Sequence, residues 1–291
     1  MQIRFGPAGI PIQCDGTSTI DGIRCVHELG LGAMEMEFVR GVRLKDDAAK
    51  EAGAIAAALD ISLSSHAPYF INFCSSDGRI LANSARHLFE AAKATDLAGG
   101  RVTVFHPGYY QKSSKEEAYQ DAKQELARLV EKLKQHGIKA ILGAETVGKK
   151  SAFGGLAENI RLAKEVDQIE PVLDFAHIHA RGDQVIKGPD DYRKLLSFVE
   201  KELPGYKAHI HCHFSEINYS AKGELNHLPL GTNNEPPYKA LIEVLVENGF
   251  MGTIICESPK LDIDALVMQE EYQALARRTH AHTGKGDAHA H

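Results

Sequence analysis

The sequence predicts an α/β fold, a single (β/α)8 TIM barrel, and three observations point to it. Short apolar, β-branched runs alternate with longer amphipathic stretches, which is the pattern of parallel strands joined by right-handed helical crossovers. Eight such units share 291 residues, or about 36 residues each, which suits a closed barrel. The first strand is followed by FGPAGIP and not by a glycine-rich phosphate loop. An open doubly wound sheet, the alternative, is therefore disfavoured.

The predicted strands are short runs at regular intervals along the chain. They cover residues 3–6, 33–38, 61–66, 102–106, 140–145, 171–175, 208–214 and 253–257. Helix-like segments lie between them, at 113–136, 155–166, 190–202 and 238–248. In the longest of these, apolar residues from Ala122 to Leu133 recur at helical spacing.

Composition narrows the range of functions. The formal net charge of -6 gives no global basic footprint for nucleic acid, although bound metal ions would add positive charge that this count omits. The five cysteines are scattered and odd in number, which argues against a disulfide framework and favours a reducing compartment. No signal peptide or membrane-length apolar run is visible. We therefore expect a cytoplasmic monomer without a membrane partner.

The chain is predicted to form one domain over residues 1–278. Residues 279–291 read THAHTGKGDAHAH, a polar and aperiodic stretch with four histidines. We expect this stretch to be a flexible tail with incidental affinity for metals.

Carboxylate and imidazole side chains recur where the predicted strands end. The third strand ends at His66, the fourth at His106, the fifth at Glu145, the sixth at Asp174 with His177 just beyond, the seventh near His213 and the eighth at Glu257. In a barrel these ends converge on the C-terminal mouth. Burying so many ionisable groups together is costly unless metals neutralise them. The sequence thus predicts a cluster of divalent ions at the mouth, with zinc, manganese or iron(II) suited to these ligands.

A single histidine at a strand end is more often a hydrogen-bonded structural residue. Here six consecutive predicted strands end in a carboxylate or an imidazole, which indicates a shared site. His209, His211 and His213 share one face of the seventh strand by its period of two. His213 is nearest the C-terminal end, and it is the predicted ligand of the three.

The segments HAPYFIN, FHPG, AET, DFAH and CES resemble the endonuclease IV family of apurinic/apyrimidinic endonucleases, within the xylose-isomerase-like barrels. The resemblance runs through residues 3–275. It implies an eight-fold barrel with three zinc ions, so we expect two or three Zn²⁺, with Mn²⁺ as an alternative. The implied ligand sets are Glu145, Asp174, His213 and Glu257; His66 and His106 with Glu145 as bridge; and His177, His227 and one further acidic residue.

The third set departs from the family pattern. The family places an aspartate two positions before its histidine, whereas Leu225 stands there in this sequence and Glu224 one position earlier. Glu224 can serve as the missing ligand only if the loop is rearranged.

The resemblance also implies the reaction, which is hydrolysis of the DNA backbone 5′ to an abasic site in duplex DNA. Glu145 and Glu257 would be the catalytic residues. Tyr69 and Phe70 occupy positions where the family inserts side chains into the base stack. Arg40 and Arg43, in FVRGVR after the second strand, could contact phosphates.

A different reading of the same barrel is a sugar or sugar-phosphate isomerase or epimerase that uses one divalent metal. Glu145, Asp174, His213 and Glu257 would be sufficient ligands for that enzyme, with an acid and a base moving a proton beside the sugar carbonyl. His66, His106 and His227 distinguish the two readings, because a single-metal enzyme does not need all three as ligands. A metal-binding protein without catalysis is the third possibility.

Overall fold

The structure is a computed structural model that describes residues 2–182 and 185–283, with side chains up to Thr279. Its strands are β1 (Ile3–Pro7), β2 (Ala33–Glu37), β3 (Ser62–His66), β4 (Val102–Phe105), β5 (Gly108–Tyr109), β6 (Ile141–Glu145), β7 (Ala152–Phe153), β8 (Ile169–Asp174), β9 (Ile210–Phe214), β10 (Glu216–Ser220), β11 (Gly223–Leu228) and β12 (Gly252–Cys256). Its helices are α1 (Thr19–Glu28), α2 (Asp46–Ala58), α3 (Gly78–Leu97), α4 (Lys115–Gln135), α5 (Leu156–Glu165), α6 (Phe175–Arg181), α7 (Pro189–Glu202), α8 (Tyr238–Asn248) and α9 (Asp262–Thr283).

The predicted (β/α)8 barrel is confirmed. Eight strands form one parallel sheet in the order β1-β12-β9-β8-β6-β4-β3-β2, and each overlaps a predicted strand. The last strand, β12, pairs with the first, so that Pro7 lies opposite Cys256. Partial pairing between β1 and β2 completes the circle, where Gly32 donates its N–H to the carbonyl of Phe5. Gly6 permits this close approach, since a Cβ there would lie 1.7 Å from the carbonyl oxygen of Ala33.

Helix α4 shows why the outer ring forms where the apolar periodicity predicted it. Ser114 caps its first turn in a capping box with Glu117, which satisfies backbone N–H groups that the helix itself cannot. The face containing Ala122, Leu126 and Leu129 is buried. Packing of such faces on the sheet directs the C-terminal ends of the strands to one mouth.

The structure adds three features to the alternating strand–helix pattern: the short pair β5–β7, the seven-residue helix α6 and the antiparallel hairpin β10–β11. The hairpin follows β9 directly. Its first residue, Glu216, is buried and accepts backbone N–H groups from each of residues 231–234 at 2.7–3.0 Å. This carboxylate anchors the loop that leads from the hairpin to α8.

The last helix passes residue 278, and the domain boundary predicted there remains a prediction. Helix α9 continues to Thr283, past the predicted boundary at residue 278, and it packs against β1 and α8. The rest of the predicted tail, residues 284–291, lies outside the described residues. Within the described part of the chain, no helix is long and apolar enough to cross a membrane.

Candidate metal centre

All nine predicted metal-ligand residues lie at the mouth of the barrel. They comprise His66, Glu145 and Asp174 at the ends of β3, β6 and β8; His106 and Glu257 just after β4 and β12; His213 on β9; His177 on α6; and Glu224 and His227 on β11. The ligand atoms of eight of them fall into three overlapping groups whose members lie within 4.8 Å of one another, and Glu224 contacts His177 of the third group. The convergence predicted from strand ends is therefore present in the structure.

Glu145 belongs to two of these groups. Its carboxylate is fully buried, and its Oε2 lies 3.0 Å from Nε2 of His66 and 2.8 Å from Nε2 of His106. Its Oε1 lies 3.1 Å from Nδ1 of His177 and 3.5 Å from Nδ1 of His213. Burial alone would raise the pKa of Glu145, but the neighbouring imidazoles hold that pKa well below its usual range. Glu145 is thus an anion placed between two pairs of histidines.

The first group consists of His66, His106 and Glu145. Nδ1 of His66 lies 2.8 Å from the carbonyl oxygen of Ala67. Because a carbonyl can only accept, this nitrogen must carry the proton, which leaves Nε2 free to face Glu145. Burial would lower the pKa of His66, but the Glu145 carboxylate raises it to about 10. A positive charge is therefore favoured at this position, and a divalent ion could provide it.

The central group consists of Glu145, Asp174, His213 and Glu257. Asp174 caps helix α6 through one oxygen, which accepts the backbone N–H of His177 at 2.7 Å. Its other oxygen is buried without a hydrogen-bond partner in the described residues. Burial, together with the nearby Glu257 and Glu145 charges, raises the pKa of Asp174 well above its usual range. Glu257 Oε1 lies 3.3 Å from Nδ1 of His213.

The third group consists of Asp174, His177 and His227. His177 Nδ1 lies 2.9 Å from the carbonyl oxygen of Thr146, so this nitrogen carries the proton and Nε2 is free. His227 is fixed in a similar way by Ser215, whose hydroxyl contacts Nδ1. Both rings thus present Nε2 as the available ligand atom.

A β-bulge explains how Glu224 joins the third group despite its unusual spacing. Asn218 pairs with Asn226 whereas Tyr219 pairs with Glu224, so Leu225 is an extra residue on β11. An extra residue reverses the alternation of a strand, which allows positions three apart to face the same side. Leu225 is accordingly 59% exposed, while Glu224 Oε2 lies 3.1 Å from Nε2 of His177. The same oxygen accepts the N–H of Gly148 at 3.0 Å.

These residues fit divalent metal ions. Buried atoms Glu145 Oε1, Asp174 Oδ2 and His213 Nδ1 have no hydrogen-bond partner in the described residues, although each lies within 3.5 Å of another donor atom of the centre. Such an arrangement is unfavourable for an empty polar cluster and natural for a coordination shell. Imidazole and carboxylate donors suit zinc, manganese or iron(II), and the donor set alone does not select among them.

Sequence reasoning missed Glu35 and Glu37, and it set His211 aside in favour of His213. Glu35 accepts a hydrogen bond from Ser64 Oγ at 2.7 Å and one from His211 Nε2 at 3.0 Å. Glu37 lies two residues further along β2, and burial raises its pKa to about 8. The AMEME sequence of β2 could have indicated that Glu35 and Glu37 lie together, because residues two apart on a strand share a face.

The predicted DNA-binding residues lie on the loops around the mouth. Tyr69 is 42% exposed and its ring centroid is 4.9 Å from that of His66. Phe70 is 56% exposed and rests edge-on against His87. Arg40 and Arg43 are exposed in the segment after β2. These positions are compatible with contacts to a large ligand, and the DNA-binding role of all four residues remains a prediction.

Comparison with known proteins identifies the class. The chain belongs to the family described as xylose isomerase-like TIM barrel, which matches residues 23–278. It is 39% identical over 274 residues to an uncharacterized protein of Methanocaldococcus jannaschii, an alignment that covers 93% of this chain and 97% of that protein.

Two further matches carry functional names of different kinds. The chain is 26% identical over 216 residues to a protein of Acholeplasma laidlawii named probable endonuclease 4, covering 64% of this chain and 73% of that protein. A solved D-tagatose 3-epimerase-like protein shares the fold with a TM-score of 0.68 and 22% identity, over 89% of this chain and 94% of that one.

Proposed function

We propose that this protein is a metal-dependent phosphodiesterase, with zinc as the preferred ion, that cuts duplex DNA 5′ to an abasic site. The observation that carries the proposal is the position of Glu145 between two pairs of histidines. A single metal needs only about four ligands, and the central group already supplies them. The additional donors His66, His106 and His227 are explained by a cluster of ions with Glu145 as a bridging ligand.

The residues that would hold the ions are those of the three groups, with Glu224 completing the third. Bound divalent ions would supply Lewis-acid stabilisation of phosphate oxygens and lower the pKa of water at neutral pH. Glu257 is the central carboxylate with most access to the opening, since its side chain is 11% exposed whereas Glu145 and Asp174 are fully buried. Nearby His213 holds the pKa of Glu257 below its usual range despite burial. Glu257 would therefore meet the substrate as an anion, and we assign it a catalytic role with Glu145.

The surface around the mouth suits a duplex with a lesion. Tyr69 lies beside His66 and Phe70 is exposed against His87, and these aromatic side chains could fill the space left in the base stack by a displaced nucleotide. Arg40 and Arg43 would contact backbone phosphates. Three divalent ions would offset the whole formal net charge of -6, which removes the electrostatic objection to a DNA substrate.

A single-metal sugar epimerase is the second candidate. The central group is a complete four-ligand set by itself, and the D-tagatose 3-epimerase-like protein has the same fold. In that enzyme two carboxylates of the central group would exchange a proton with the carbon beside the sugar carbonyl. His66 and His106 would then be structural partners of Glu145.

The deciding experiment combines metal stoichiometry with incision. The protein is prepared with the four tail histidines (280, 282, 289 and 291) replaced by asparagine, so that only the barrel binds metal. Elemental analysis is followed by an assay on a duplex that carries one tetrahydrofuran abasic analogue. We expect two or three ions per chain and a single cut 5′ to the analogue, and no cut with the Glu257→Gln variant. One ion per chain without incision, but with epimerisation of a ketose, would reject the proposal in favour of the second candidate.

A further inference from the structure

A layer of polar side chains lies one step deeper in the barrel than the metal-ligand groups. It comprises Glu35 on β2, Ser64 on β3 and His211 on β9, and all three are buried. A carboxylate inside a barrel is costly unless other groups compensate its charge. The proposed reaction has no direct use for this layer, so its presence needs a separate explanation.

The contacts of Glu35 are divided between its two oxygens. Oε2 accepts from Ser64 Oγ at 2.7 Å and from His211 Nε2 at 3.0 Å. Oε1 lies 2.9 Å from Nε2 of His213. Neither of these last two atoms makes a hydrogen bond within the described residues, so the 2.9 Å distance is a close approach of two otherwise unpartnered atoms. Each is thus the nearest available partner of the other.

Three of the other ligand histidines show what such a partner does. His66 and His177 are each fixed through Nδ1 by a backbone carbonyl, and His227 contacts a serine hydroxyl through Nδ1. The carbonyls set the tautomer of the first two rings, and in all three rings the contact leaves Nε2 for a metal. These rings lie at the edge of the mouth, where loop carbonyls and hydroxyls are within reach.

His213 is in a different position, because it lies within strand β9. Strands β8 and β12 pair with β9 on its two sides, and their backbone groups are engaged in these ladders. A partner for the inward nitrogen must therefore be a side chain. The outward nitrogen, Nδ1, lies 3.3 Å from Glu257 and 3.5 Å from Glu145.

We propose that Glu35 is a positioning residue of the metal centre: it holds His213 with Nε2 protonated and Nδ1 directed at the ion shared by Glu145 and Glu257. Ser64 and His211 in turn fix the Glu35 carboxylate. The proposal rests on metal binding at the mouth and not on the choice of DNA as substrate. Loss of a partner of this kind typically weakens metal binding about 10- to 100-fold.

The test measures zinc affinity by chelator competition for the full-length protein and for Glu35→Gln. The control is His209→Gln, which removes an imidazole just before the same strand at a half-exposed position. We expect Glu35→Gln to bind its weakest-held zinc about 10- to 100-fold less tightly, and the control to match the wild type. If the affinity of Glu35→Gln stays within twofold of the wild type, the proposal is wrong.

A second readout follows the ring itself. Nuclear magnetic resonance of ¹⁵N-histidine-labelled, zinc-loaded protein reports which nitrogen of His213 is protonated. We expect the Nε2–H form in the wild type and a mixture with the Nδ1–H form in Glu35→Gln; an unchanged tautomer would overturn the proposal. Should Glu35→Gln fail to fold, Ser64→Ala takes its place. We expect a smaller loss of zinc affinity for that variant, and an unchanged affinity would contradict the positioning role.

Two further results separate this inference from others. If Glu35→Gln loses one ion completely while the remaining ions bind with unchanged affinity, Glu35 is itself a ligand and the positioning role is wrong. If Glu35→Gln binds zinc weakly but the wild type fails to cut abasic DNA, the positioning role stands and the proposed phosphodiesterase activity fails.

Discussion

Replacing Glu145 by glutamine tests the bridging role directly. The substitution nearly preserves the shape of the side chain but removes the charge that four imidazole rings face. Glutamine offers one oxygen, and its amide nitrogen would then point at a pair of ring nitrogens. Because the first and central groups both include Glu145, we expect two ions to be lost together.

The size of the effect follows from linkage. At a free zinc concentration 100 times the dissociation constant, one ion stabilises the folded state by about 2.7 kcal/mol. Two ions that depend on Glu145 therefore contribute about 5 kcal/mol. For a domain of this size, roughly 2–4 °C of Tm corresponds to each kcal/mol. The wild type should thus gain on the order of 10–20 °C on adding zinc, and Glu145→Gln should lose this gain.

Differential scanning calorimetry with excess zinc and with chelator measures the gain. Glu131→Gln is the matched control, because its carboxylate on α4 is exposed and its one ion pair among the described residues is with the neighbouring Lys134. We expect the control to keep the full zinc-dependent rise. If Glu145→Gln keeps it as well, Glu145 is not shared between ions and our assignment of the groups is wrong.

Three other substitutions test separate parts of the structure. His106→Ala should lose one ion by elemental analysis and reduce incision by about 100-fold or more, while unchanged stoichiometry would favour the single-metal enzyme. Glu216→Gln should lower the free energy of unfolding by about 1.5–3 kcal/mol in urea, because the charged acceptor of residues 231–234 is lost; a change below about 0.5 kcal/mol would contradict that anchoring role. The pKa of Glu37 is about 8 in the folded protein and near 4.5 in the unfolded chain, so the folded protein keeps this proton to a higher pH. Glu37 should therefore add to the decline in stability of the metal-free protein between pH 5 and 8 by at most about 1.4 kcal/mol per pH unit, and Glu37→Gln should remove this contribution; parallel curves for the two proteins in urea titrations would rule it out.

The barrel and most of its donors could be predicted because both follow from local patterns. Apolar β-branched runs fix the strands, and the ligands lie where those runs stop. Glu35 could not be predicted in this way, since its partner His211 is 176 positions away. A glutamate within a strand usually indicates a solvent-facing position, and only the histidines of β9 make an interior position favourable.

The way in which Glu224 reaches the third group could not be predicted, for a different reason. A single extra residue, Leu225, moves Glu224 onto the side of His177, and bulges leave no periodic signal in a sequence. Helix α6 has seven residues, about two turns, which is too short to show an apolar period. Its position directly after Asp174 nevertheless brings His177 into the centre.

The docking of β12 between β9 and β1 has a consequence for how the protein matures. This strand is the last of the barrel to be synthesised, and Glu257 follows it directly. His66, His106 and Glu145 are available much earlier in the chain, so a nascent polypeptide can gather the first group before the central one exists. Pairing of β12 with β1 joins residues from opposite ends of the sequence, a contact of high order that forms slowly. The metal centre would therefore become fully occupied only when folding is complete. A metal ion bound early would have an incomplete set of ligands until β12 closes the barrel.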